Sequence, residues 1–101
     1  MSEKEEWLKI KEEFLKQSGV QKQGESLKIN KKMFAMLDKG NFVLKLPKER
    51  VIVLKNEGIG IDWKAGAKVM NEWVIISADF QDKWIALTKE AKEFAFSLSK
   101  K

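Results

Sequence analysis

The pattern of apolar and polar positions is clearest between Met33 and Pro47, MFAMLDKGNFVLKLP, where two apolar runs flank Asp38-Lys39-Gly40-Asn41. Aspartate opens turns readily and glycine takes left-handed backbone, so the residues between the runs predict a tight hairpin. In the second run Phe42, Leu44 and Leu46 alternate with Val43 and Lys45, as expected of a strand with one buried face. The first run, Met33 to Leu37, is apolar throughout and predicts a central strand, covered above and below or flanked on both edges. Upstream, Leu27 to Asn30 alternates as a short strand with Leu27 and Ile29 on one side. Asn30-Lys31-Lys32 then turns into the hairpin, giving a three-stranded meander.

Helical spacing marks both ends of the chain. Trp7, Ile10 and Phe14 form an apolar stripe within a predicted helix from Ser2 to Gln17, with Ser2 as its cap and Glu5 and Glu6 favourably placed near its positive end. Ser18-Gly19 closes it, and residues 18–26, SGVQKQGES, read as a polar connector. Pro47, followed by Lys48, Glu49 and Arg50, predicts a helix to about Asn56. Val51-Ile52-Val53 favours a strand by propensity, but Pro47 could not donate within a ladder. Asn56 to Gly66 reads as irregular, with Ile59, Ile61 and Trp63 as plugs. Lys68 to Met70 and Glu72 to Ser77 read as strand segments, Trp73 and Ile75 facing one way and Val74 and Ile76 the other.

A last helix is predicted from a cap at Ser77 or Asp79, the latter with Asp82 in a capping-box-like arrangement, to about Leu98. Trp84, Leu87, Ala91, Phe94 and Leu98, joined by Ile85 and Ala95, make its stripe. That stripe is too short for a coiled-coil seam and suits a helix laid across a sheet. Ser99-Lys100-Lys101 is a frayed basic end. The order α-βββ-α-ββ-α specifies a two-layer α+β sandwich with an antiparallel sheet, one domain over residues 1–101.

Composition narrows the chemistry. The 101 residues include no cysteine and no histidine, which removes disulfides, thiolate zinc sites, the usual near-neutral acid–base group and the commonest transition-metal ligand. No enzyme activity, cofactor or metal is therefore expected. Glu57, Asp62 and Glu72 are carboxylates available to a hard cation, with nothing beyond their presence to recommend them. Gly58-Ile59-Gly60 lacks the spacing of a nucleotide loop. No apolar stretch approaches the roughly 18 residues of a membrane span, and the opening MSEKEEW is no secretory signal, so a cytoplasmic protein is expected.

The net charge of +5 is unevenly distributed: residues 18–78 hold eleven Lys or Arg against six acids. Lys28, Lys31, Lys32, Lys39, Lys45, Lys48 and Arg50 are the candidate contacts to phosphate or to an acidic partner. The plainer reading is a set of lysines that keeps sheet edges apart. Only one of the twenty basic residues is arginine, the residue preferred for bidentate phosphate contacts, and this favours the plainer reading.

Met33 to Leu37, Phe42 to Val51 with its KLPKERV, Gly58-Ile59-Gly60, Met70 to Val74 with its MNEWV, and the Trp84…Leu87…Ala91…Phe94 helix together resemble the small TfoX N-terminal-domain-like family, related in fold to YjbR/MmcQ-like proteins. The resemblance covers roughly residues 25–98. It implies a secretion-chaperone-like α+β fold, a link to bacterial regulation, and no established catalytic residues. Within it Pro47 starts a helix, Gly40 makes a turn and Trp73 fills a core. The expected function is a small non-enzymatic binding or adaptor domain, a monomer or weak dimer contacting another protein. It would use an exposed sheet edge or a groove beside Met36, Trp63 and Trp73. The alternative is a DNA-binding regulatory protein using the basic middle segment.

Overall fold

The computed structural model describes residues 3–99. Helix α1 (Glu3–Leu15) leads into strands β1 (Val20–Gln23), β2 (Ser26–Ile29), β3 (Lys32–Asp38) and β4 (Asn41–Lys45). Helix α2 (Lys48–Asn56), strands β5 (Gly60–Ala65) and β6 (Lys68–Ile76), a 3-10 segment (Ala78–Lys83) and helix α3 (Trp84–Ser99) complete it. All pairings are antiparallel, in the order β1-β2-β3-β4-β6-β5. The protein is thus an α+β fold with three helices packed on an antiparallel sheet, as the sequence predicts. No helix among the described residues is long and apolar enough to cross a membrane.

The central hairpin forms at Asp38-Lys39-Gly40-Asn41, with Lys39 and Gly40 both left-handed at φ +52° and +83°. Directly paired residues of an antiparallel ladder share a face. The row Leu27–Ala35–Leu44–Val74 and the row Leu37–Phe42–Ile76 therefore point together, and this is the face the helices cover. Phe42 stacks on Trp84 of α3 with centroids 4.2 Å apart and planes 17° apart. It also meets Trp7 of α1 at 5.7 Å, the planes tilted by 56°. Phe34 escapes the alternation. The register skips one residue opposite Leu27 and Lys28, so Phe34 is the extra residue of a β-bulge. It turns to the helix side beside Ala35 and packs on Phe14 at 6.2 Å. This is how a run apolar at every position finds enough core.

Several expectations are corrected. Residues 18–26 are no mere connector: they contain β1, so the meander has four strands rather than three. Only Val20 of β1 is buried, which leaves an edge strand with no alternation to detect. Residues 56–66 end in the edge strand β5, whose register with β6 shifts around Trp63. Gly60 begins it because a Cβ there would lie 2.8 Å from Val74 Cγ2 and 3.2 Å from Leu54 Cβ, where α2 crosses β6. Gly58, at φ +78°, belongs to the helix stop instead: its N–H reaches Lys55 O and that of Ile59 reaches Leu54 O, a Schellman closure. The segments from Lys68 to Ile76 form a single strand.

The α2 helix follows Pro47 as expected, burying Val51 and Leu54 and exposing Ile52 and Val53. The last helix begins at Trp84 and not at residue 79, because Phe80 at φ −118° breaks the helix between them. Ser77 caps the 3-10 segment through Asp79 N–H at 3.2 Å, and the Asp79–Asp82 box does not form. Trp84, Leu87, Ala91 and Ala95 are buried, Phe94 and Leu98 half-buried, and Ile85 faces water. The Ser2 cap and the Lys100-Lys101 end lie outside the described residues.

Polar ties lock the layers. Glu25, in the β1–β2 turn, accepts from Lys11 Nζ at 3.2 Å and from Trp7 Nε1 at 2.9 Å. These hydrogen bonds, Lys11 first, hold its carboxyl below the usual glutamate range. Arg50 Nε and Nη2 reach the two oxygens of Glu90 at 2.9 and 3.2 Å, joining α2 to α3.

Two outcomes follow from this packing. Phe42→Ala is expected to lower the unfolding free energy by about 3–5 kcal/mol in urea denaturation, against about 0.5 kcal/mol or less for Val53→Ala on the outer surface of α2. Because the folded state depresses the Glu25 pKa, its contribution is present above the unfolded value of about 4.3 and fades as pH falls below it. Glu25→Gln should therefore lose stability less steeply on acidification than the parent, read as unfolding midpoint against pH. Parallel slopes would show that Glu25 is not a linked group.

Candidate binding surface on the helix-free face

Among the described residues, no helix packs on the opposite face of the sheet. Its first row, Gln23–Ser26–Met36–Val43–Ile75–Ile61, runs through all six strands by direct pairing. Lys28 with Met33, and Lys45 with Trp73, occupy the next level. Val43 is fully buried although it lies outside the helix-side core. What shelters it is the shape of the sheet. Trp63 of β5 donates its indole N–H to Asp38 Oδ2 of β3 at 3.1 Å, across two intervening strands that would hold β3 and β5 roughly 14 Å apart if flat. The sheet therefore curls toward this face, and Trp63 closes over it. Trp73 meets Trp63 at 5.7 Å between ring centroids, with planes 51° apart.

The result is a small second cluster, half-covered by its own indoles. Met36, Trp63, Trp73 and Ile75 are half-buried, while Ile61 and Met33 are exposed. Met36, Trp63 and Trp73 do share one face, as the expected groove requires. Trp73, expected in a core, lies on this partly open face instead, since Val74 and Ile76 take the helix side.

The predicted basic contacts divide. Lys28 and Lys45 point to the helix-free face and Lys48 stands at its end, whereas Lys31 and Lys32 lie at the β2–β3 turn. Lys39 lies in the β3–β4 turn, at the opposite end of the sheet from Lys45. Arg50 is held by Glu90 on the helix side and does not join them. Lys28 Nζ reaches Gln23 Oε1 at 3.1 Å, and Lys45 Nζ sits 5.2 Å from the Trp73 ring and 3.7 Å from Glu72. Of the acids weighed for a cation, Asp62 pairs with Lys55 at 2.7 Å and Glu72 with Lys45. No group of three or more acidic side chains gathers among the described residues.

Sequence reading missed Lys68, which joins Lys45 and Lys48 around a cleft beside Trp73. Its signal was absent because it depends on a register skip: Asp62 pairs with Val74 but Lys64 with Val69, so Met70 to Trp73 stand against a single residue of β5. The structure is thus a curled antiparallel α+β sheet with one helical layer and, on its other face, a tryptophan pair bordered by lysines. No family model matches the chain, and no curated protein or solved structure is detectably similar to it.

The Trp63–Asp38 hydrogen bond spans the curled face. Trp63→Phe and Asp38→Ala should each cost about 1 kcal/mol of stability, and the double variant should cost less than their sum. Strictly additive losses in urea denaturation would show that the two residues are not coupled.

Proposed function

We propose that this chain is a small non-enzymatic binding module that docks another protein on the helix-free face of its sheet. The observation that carries the reading is the row Met36–Val43–Ile75–Ile61, apolar across four strands and left without a helix, with Trp63 and Trp73 beside it. Half-exposed tryptophans flanked by smaller apolar side chains are the usual anchors of protein contacts. The lack of histidine and cysteine supports contact over catalysis. The resemblance of KLPKERV and MNEWV to TfoX N-terminal-domain-like proteins supports the same adaptor role. A DNA-binding role is the less favoured reading, since the single arginine is held by Glu90 on the helix side.

Position-specific photo-crosslinking in cells tests this. A benzophenone side chain at Ile61 should give a discrete protein adduct that the same group at Lys89, on the outer surface of α3, does not. Equal labelling from the two positions, or none from Ile61, would overturn the reading.

A further inference from the structure

Resting on that reading, we infer that the cleft at the end of the helix-free face takes an extended acidic segment of the partner, laid along the free edge of β6. Three independent features converge there. The first is the edge itself. β4 pairs with β6 only from Trp73 onward, and the last backbone tie is Leu46 N–H to Glu72 O at 3.0 Å. β6 runs on through residues 68–71 with β5 on one side, while no strand among the described residues pairs with the other. Such an edge accepts an added strand through main-chain hydrogen bonds.

The second feature is shape. The cleft beside this edge holds about 320 Å³ between Lys45, Lys48, Lys68, Met70, Glu72 and Trp73. Trp73 and Met70 give it an apolar wall for alternate side chains of an extended peptide.

The third is charge. Three lysines face one carboxylate, and Lys48 and Lys68 make no ion pair among the described residues. Lys45 already meets a carboxylate, that of the largely exposed Glu72, at 3.7 Å. A glutamate or aspartate of the partner would take the place of Glu72 on Lys45 and add pairs to Lys48 and Lys68. Carboxylates suit these lysines better than a nucleic-acid backbone does, because the cleft is short and the single arginine, the better phosphate clamp, is held by Glu90 on the helix side.

An NMR titration of the full chain with a short synthetic peptide of alternating glutamate and leucine tests the assignment. The expected result is movement of the amide signals of Lys68 to Glu72 and of the Trp73 indole, weakening with salt. Affinity should fall about tenfold in the Lys45→Gln/Lys68→Gln variant, with an unchanged unfolding midpoint. Equal binding of a lysine–leucine peptide, tighter binding of an oligothymidylate at the same signals, or no movement there would overturn it. A neutral serine–leucine peptide that shifts Met36 and Ile61 but not Lys68 to Glu72 would overturn the cleft and leave the binding face standing.

Discussion

The structure depends on Phe42 being in contact with two tryptophans from opposite ends of the chain. Trp84 stacks on it and Trp7 meets it at a tilt, so one side chain of β4 sets where both terminal helices lie on the sheet. Each aromatic contact adds about 0.5–1.5 kcal/mol beyond its buried area, but the larger consequence is positional. The two indole N–H groups are anchored elsewhere: Trp7 to Glu25 in the first hairpin, and Trp84 to Ser77 O at 3.2 Å where β6 ends. A shift of β4 by one residue would put Val43 under the helices and Phe42 on the other face, breaking all of these contacts together.

That register leaves the other face to be stabilised without a helix. The central hairpin solves the problem asymmetrically. In β3 the bulge at Phe34 moves an extra large side chain to the helix side and leaves Met36 for the opposite face. In β4 regular alternation leaves Val43, which must be sheltered by the sheet's own curl. Trp63 supplies the closure, and its bond to Asp38 ties the β5 edge back toward β3. The same curl places Trp63 beside Trp73, so the candidate surface is a consequence of how the sheet protects Val43.

Alternation and helical spacing made most of the architecture legible before any coordinates. The hairpin at Gly40, the helix after Pro47 and the Trp84–Leu87–Ala91 stripe each follow from strong local rules, and each stands in the structure. Two strands were hidden for physical reasons. β1 buries one residue of its four, too few to make a pattern, and the glycine that begins β5 answers to crowding by Leu54 and Val74, a tertiary fact. The candidate surface was legible only in its parts. Met36, Trp63 and Trp73 could be named, but their meeting depends on the β3-β4-β6-β5 order. Lys68 joins Lys45 only through the register skip in β6.

The same distinction organises the charge. A basic excess in the middle of a chain says little about a partner until each cation's partner is known. Arg50 and Lys55 serve the architecture, joining α2 to α3 and to β5 through Glu90 and Asp62, and both ion pairs lie at the surface, where such pairs add little to stability. Of the nine basic residues that remain between positions 18 and 78, Lys45, Lys48 and Lys68 gather where β6 runs past the end of β4, against one largely exposed glutamate. An edge that bare would invite pairing between copies of the chain, and clustered lysines are the usual defence. Such lysines oppose another copy's equally basic edge and, on the proposed reading, favour an acidic strand, so one feature would both discourage self-association and select the sign of what joins the sheet.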